Sequence, residues 1–151
     1  MSKLVFDIGG TFIKYALMSE ECEFLEKDKI KTPEYKMDKV LSALKEIIDV
    51  YADRFDGIAF SLPGMMDSDT GFMYSSGALM CFDNVNFFEV MKTITDLPVS
   101  IENDGKAAAL AEVWKGNLSD VNDGIVTILG TGIGGAVTFF EQKKNKDKEE
   151  K

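Results

Sequence analysis

An α/β fold, a mixed sheet flanked by helices, is what the sequence predicts, and three observations predict it. Short strand-like runs crowd the start of the chain, helix-periodic segments follow, and short apolar strands alternate with helices from Gly57 onward. With 151 residues, 45% of them hydrophobic, the chain can bury one sizeable core. A single domain over residues 1–140 is therefore expected, with residues 141–151 as a charged tail expected to be disordered.

Leu4-Val5-Phe6 reads as a buried strand, Phe12 to Met18 as a second and the more polar Glu23 to Lys31 as a third, which together make a meander. After Thr32-Pro33, apolar side chains at Met37, Val40, Leu41, Leu44, Ile47, Ile48 and Tyr51 fall at helical spacing on one face. Gly57 to Leu62 reads as a central strand ended by Pro63-Gly64. Met65 to Asn84 has no sustained period and is expected to be a long irregular loop. Asn86 with Glu89 resembles a capping box for a helix through Phe87, Phe88, Met91 and Ile94. Pro98 to Glu102 returns as a strand, and Ala107 to Trp114 forms a helix with Gly116 as its C-cap. Ile125 to Leu129 and Ala136 to Phe140 form a hairpin. Phe82, Phe87, Phe88 and Trp114 read as core or loop-packing residues.

The balance of 26 acidic and 17 basic residues gives a net charge of −9, which argues against nucleic-acid and membrane partners. Bound phosphate would need local help from a lysine, backbone dipoles and a divalent cation. Cys22 and Cys81 stand far apart and the chain has no histidine, so neither a disulfide framework nor a Cys/His zinc site is expected. No apolar stretch approaches the ~20 residues needed to span a bilayer, and a cytoplasmic protein is expected.

Two glycine-rich turns, each after a short apolar run, carry the chemistry. Asp7-Ile8-Gly9-Gly10-Thr11 offers backbone N–H groups and a hydroxyl, with Lys14 as counter-charge three residues on. A plain Gly-Gly hairpin would explain the glycines but not a carboxylate at the end of a buried strand. The second turn, Leu129-Gly130-Thr131-Gly132-Ile133-Gly134-Gly135, lacks the following helix of a dinucleotide fingerprint. One nucleotide gripped by both turns is the economical expectation, and it points to phosphoryl transfer. Asp104, where a strand meets an Ala-rich helix, is a natural N-cap and also a candidate general base. Leu62-Pro63-Gly64 with Asp67 reads either as a turn or as part of a substrate site beside it.

In order, Asp7-x-Gly9-Gly10-Thr11-x-x-Lys14, Leu62-Pro63-Gly64-x-x-Asp67, Glu102-Asn103-Asp104 before an Ala-rich helix ending in Glu112, and Leu129-Gly130-Thr131-Gly132-x-Gly134-Gly135 resemble the ROK family of sugar kinases and repressors. The resemblance covers residues 3 to about 140 and corresponds to the N-terminal half of such proteins. It implies an actin-like ATPase fold of the ribonuclease-H-like class, with ATP, Mg²⁺ and a hexose as ligands. By the same resemblance Asp104 is the catalytic base. Asp7 faces Mg²⁺ through water, and Gly9, Gly10, Thr11, Lys14, Gly130, Thr131, Gly132 and Gly134 hold the nucleotide. Gly64 and Asn103 touch the sugar.

The resemblance implies an ATP-dependent sugar kinase represented by its N-terminal domain, as a possible homodimer. The family's zinc motif and the rest of its sugar site belong to a C-terminal domain absent from this sequence, so the chain alone is expected to turn over negligibly. The alternatives are the effector domain of a ROK-type transcriptional regulator, disfavoured because the chain starts on its first strand with no recognition helix before it, and a non-catalytic sugar-binding module. Family members commonly read Asn-Asp-Ala-Asn where this chain reads Asn103-Asp104-Gly105-Lys106, so the identity of the sugar stays open.

Overall fold

The computed structural model describes residues 1–34, 36–77, 79–129 and 133–139. They fall into two compact units, Met1–Asp104 and Gly105–Lys151. The expected tail, 141–151, lies outside the described residues.

The first unit is built on a five-stranded sheet of β1 (Ser2–Ile8), β2 (Phe12–Met18), β3 (Phe24–Lys31), β4 (Phe55–Leu62) and β8 (Val99–Asn103). Its order is β3-β2-β1-β4-β8. The first three strands pair antiparallel, as expected of runs joined by short turns. Strands β1, β4 and β8 run parallel, which places their C-terminal ends together. The sheet is thus mixed, with the class of fold the sequence predicts.

Alternation along the strands gives the sheet one dry face. Leu4, Phe6 and Ile8 of β1 share it with Ile58, Phe60 and Leu62 of β4 and Ile101 of β8. Helix α1 (Met37–Val50) contributes Val40, Leu44, Ile47 and Ile48 to the same core. Phe6 stacks on Phe60 at 4.9 Å between ring centroids, and Phe60 meets Phe87 edge-on at 5.1 Å.

The segment expected to be an irregular loop is instead ordered. It holds β5 (Met65–Asp67), β6 (Phe72–Ser75) and β7 (Val85–Asn86), which form an antiparallel sheet, and a 3₁₀ turn at Met80–Phe82. Three strands this short show no period, and their pairing comes from partners distant in sequence. Met73, Phe82 and Phe87 anchor the layer in the core. Helix α2 (Phe87–Met91) starts where expected, with Asn86 Oδ1 accepting from the Glu89 N–H at 3.1 Å. The box is half formed, because the Glu89 carboxylate pairs with Lys92.

Helix α3 (Asp104–Lys115) crosses the division between the units. At its end Glu112 Oε2 accepts from the Asn117 N–H at 2.8 Å, and the Glu112 carbonyl accepts from the N–H groups of Gly116 and Leu118, both at 3.0 Å. Gly116 is not in the left-handed conformation of a typical C-cap; a Cβ there would lie 2.6 Å from Glu112 Cα, so close approach is what requires glycine. Trp114, expected to pack, is 63% exposed, with the Lys115 ammonium 5.3 Å from its ring centroid. The expected hairpin is present as β9 (Asp123–Leu129) and β10 (Ile133–Phe139), paired antiparallel.

Candidate functional site

The candidate site starts from the carboxyl ends of the three parallel strands. Asp7 is the penultimate residue of β1, and its register partners are Lys14 on β2 and Ser61 on β4. All three side chains emerge from the face opposite the core. Lys14 Nζ donates to Asp7 Oδ2 at 3.0 Å and Ser61 Oγ donates to Asp7 Oδ1 at 3.2 Å. The carboxylate expected to be costly at the end of a buried strand is therefore paired on both sides.

Gly9 to Thr11 form the turn between β1 and β2. The Gly9 N–H donates to the Phe12 carbonyl at 3.0 Å. Thr32, after the last residue of β3, fixes the turn from outside: its hydroxyl donates to the Gly9 carbonyl at 2.7 Å and its N–H to the Thr11 carbonyl at 3.0 Å. Gly9 does not need its freedom for a left-handed backbone, and among the described residues beyond its chain neighbours a Cβ built on it would touch the Phe12 carbonyl oxygen alone, at 3.4 Å.

At the end of β4, Gly64 adopts φ +103°, and a Cβ there would lie 2.0 Å from the Ser75 carbonyl oxygen. Only glycine fits this turn. Its carbonyl oxygen accepts from Asn103 Nδ2 at 2.9 Å, so the two residues assigned to the sugar are in direct contact. Asn103 closes β8, and Asp104, exposed, is the first residue of α3 rather than the cap before it. Glu102 Oε1 accepts from the Asn103 N–H at 2.8 Å and from Ser68 Oγ at 3.1 Å, which braces the same junction.

Asp67 closes a turn. Its Oδ1 accepts from the N–H groups of Asp69 and Thr70, both at 3.0 Å, and the Thr70 N–H above all holds this carboxyl below the usual carboxylate range. Of the second glycine turn, Gly130, Thr131 and Gly132 lie outside the described residues. Gly134 lies within β10, exposed, and among the described residues no atom beyond its chain neighbours lies within 4 Å of where a Cβ would stand.

Ser61, Ser68 and Thr32 were not among the expected site residues. Ser61 carried a signal, as a polar residue between the core positions Phe60 and Leu62 beside the strand of Asp7; the other two depend on pairings a sequence does not display.

Asp7 is a single carboxylate, and among the described residues no group of three or more Cys, Asp or Glu side chains converges on a metal position. Such a donor set suits Mg²⁺ carried in with phosphate, because Mg²⁺ keeps several waters and takes one or two carboxylates together with phosphate oxygens.

A sequence profile described as the ROK family matches residues 4–143. The β-glucoside kinase of Klebsiella pneumoniae is 36% identical over 145 residues, covering 96% of this chain and 48% of that protein. The solved structure of the Lmo2764 protein from Listeria monocytogenes superposes with a TM-score of 0.85 at 36% identity, covering 92% of this chain and 47% of that one. A glucokinase from Streptomyces griseus, solved with glucose and AMPPNP, superposes with a TM-score of 0.81 at 24% identity, covering 92% of this chain and 45% of that one, a likeness of fold. The chain spans about half the length of the curated relatives it matches.

Proposed function

This chain belongs to the ROK family, and from that premise we propose that it is the nucleotide- and sugar-contacting part of an ATP-dependent sugar kinase of the actin-like class. The observation that carries the proposal is the convergence of β1, β4 and β8. Three parallel neighbours end in Asp7 and its glycine turn, in Gly64, and in Asn103-Asp104. Ligands of open α/β sheets bind outside the carboxyl ends of the strands.

In this proposal Gly9, Gly10 and Thr11 offer donors to phosphate oxygens, Lys14 supplies a positive charge, and Asp7 orients the waters of Mg²⁺. Gly130, Thr131 and Gly132, with Gly134 of β10, are the further candidates for phosphate contact. Bound there, Mg-ATP supplies the transferable phosphoryl group and the divalent charge that offsets its oxygens. Asn103 and the Gly64 backbone orient a sugar hydroxyl. Asp104 accepts the proton of that hydroxyl as it becomes a nucleophile, a role for which its exposed position at the head of α3 leaves it accessible.

The test is transfer of phosphate from Mg-ATP to a panel of hexoses and N-acetylhexosamines. It is run with this chain and with a chimera in which the chain replaces the matching segment of the Klebsiella pneumoniae β-glucoside kinase. Little turnover is expected of the chain alone, because kinases exclude water by closing two domains over their substrates. The chimera is expected to turn over and to lose about 10²–10⁴-fold in Asp104→Asn. A folded chimera that binds sugar but transfers nothing would instead favour a sensor.

A further inference from the structure

Consecutive residues of β8 reach one short segment of chain from two sides. Register places Glu102 beside Ser61, on the sheet face that carries Asp7, and Asn103 beside Leu62, on the face of the core. Asn103 Nδ2 donates to the Gly64 carbonyl oxygen and Glu102 Oε1 accepts from Ser68 Oγ, so the two bonds fasten the chain just before and just after β5. The segment Gly64–Ser68 thus passes over the carboxyl end of β8. Asp67 closes the turn that follows, through the N–H groups of Asp69 and Thr70.

Glu102 Oε1 also accepts from the Asn103 N–H at 2.8 Å. A carboxylate bonded to the N–H of the very next residue restrains the backbone between them, and in the described sheet β8 is an edge strand, with a neighbour on one side only. Asp104 follows at once. A single oxygen therefore holds both the main chain that leads into Asp104 and the far end of the segment that begins with Gly64. Glu102, Ser68, Gly64 and Asn103 are all half-buried, and bonds accepted by an ionised oxygen are the stronger kind.

We propose that Glu102 is a positioning residue, which sets the sugar-facing turn and Asp104 in one fixed arrangement without itself touching the reacting atoms. The proposal rests on the reading of Gly64 and Asn103 as sugar contacts and of Asp104 as the base. A base must stand within hydrogen-bond reach of the hydroxyl it serves, and a displacement of about 1 Å costs about 10²-fold in rate. By joining the two at one oxygen, Glu102 makes the seat of the sugar and the place of the base depend on each other.

The test has two arms. In this chain, amide hydrogen exchange of the parent is compared with that of Glu102→Ala, Glu102→Gln and Ser68→Ala. Glu102→Ala should speed exchange about tenfold at Asn103 and along β5 while β1 and β2 keep the rates of the parent. Glu102→Gln, which retains an acceptor oxygen, should restore most of the protection. In the kinase chimera, Glu102→Ala should lower kcat about 10²-fold and raise the sugar KM, and Glu102→Gln should recover most of both. Ser68→Ala loosens β5 but leaves the Asn103 N–H bonded, so it should raise KM by more than it lowers kcat. Should Glu102→Ala not fold, Ser68→Ala should show the same loosening of β5 in smaller measure. Unchanged exchange in Glu102→Ala, or unchanged kinetics in a chimera that turns over, would overturn the proposal. So would a Glu102→Gln loss as large as that of Glu102→Ala, because Glu102 would then act through its charge. If the parent chimera neither binds sugar nor transfers phosphate, the kinase reading fails, and the exchange arm alone decides whether Glu102 fastens β5 to the head of α3.

Discussion

Asn103 Nδ2 donates to the carbonyl oxygen of Gly64 at 2.9 Å, tying the end of β8 to the turn that follows β4. The bond joins two strand ends that are parallel neighbours but 39 residues apart in sequence. Asp104, the first residue of α3, follows Asn103 directly. Asn103→Ala should cost about 1–3 kcal/mol by leaving the half-buried carbonyl without this donor. It should also weaken sugar binding, whereas a purely structural bond would lower stability alone. Urea unfolding and sugar titration of the same variant separate the two.

Gly64→Ala tests the turn itself. A Cβ at φ +103° would sit 2.0 Å from the Ser75 carbonyl oxygen, a backbone atom with no flexible side chain to yield. The expected loss is about 3 kcal/mol or more, with sugar binding abolished in whatever remains folded. A melting temperature within a few degrees of the parent would show that the turn relaxes around the methyl group.

The first three strands and α1 were legible because each is long enough to show its own signal. β1 alternates buried and less buried residues, the seven residues of β2 are apolar but for Lys14, and α1 sets Val40, Leu44, Ile47 and Ile48 on one stripe. Between Met65 and Asn86 that signal fails, since the three residues of β5 and the two of β7 owe their strand geometry to β6. Within the candidate site, Asp7, Gly64, Asn103 and Asp104 could be named because the motifs that hold them resemble those of the ROK family in their order. Ser61 and Thr32 could not, because their contacts with Asp7 and Gly9 arise only from register and chain reversal. Trp114 misled for the opposite reason: a large apolar residue in a helix suggests burial, yet its face of α3 is exposed.

Asp7→Asn separates chemistry from folding. The Asp7–Lys14 pair is exposed, with 47% and 64% of the two side chains accessible, so its loss should cost under about 1 kcal/mol. Asparagine still accepts from Ser61. If Asp7 orients the waters of Mg²⁺, phosphoryl transfer in the chimera should nevertheless fall about 10²-fold or more, with the response to added Mg²⁺ shifted to higher concentration. Equal activity in the variant would remove Asp7 from the site.

Asp83 is the source of a pH-dependent contribution to stability. Ser76, the one described polar residue among the fully buried side chains, donates to Asp83 Oδ1 from its hydroxyl at 2.7 Å and from its N–H at 2.6 Å. Its hydroxyl also reaches the Leu79 carbonyl. The hydroxyl, then the N–H, hold the Asp83 carboxyl below the usual carboxylate range, against the smaller opposing effect of desolvation. A group whose folded value is depressed binds its proton more weakly in the native state than in the unfolded one. Its contribution is therefore fully present above the unfolded value and is lost as pH falls through the folded one. Asp83→Asn should be less stable than the parent at neutral pH, and the gap should close as pH drops below the ordinary aspartate range. Asp56, Asp67 and Glu26 are depressed as well, by Lys3, by the Thr70 N–H and by Arg54. They titrate alike in parent and variant, so the difference between two urea midpoints, followed from pH 7 downward, isolates Asp83. A gap that stays constant to the acid limit would mean that Ser76 is held by geometry alone and gains nothing from the charge.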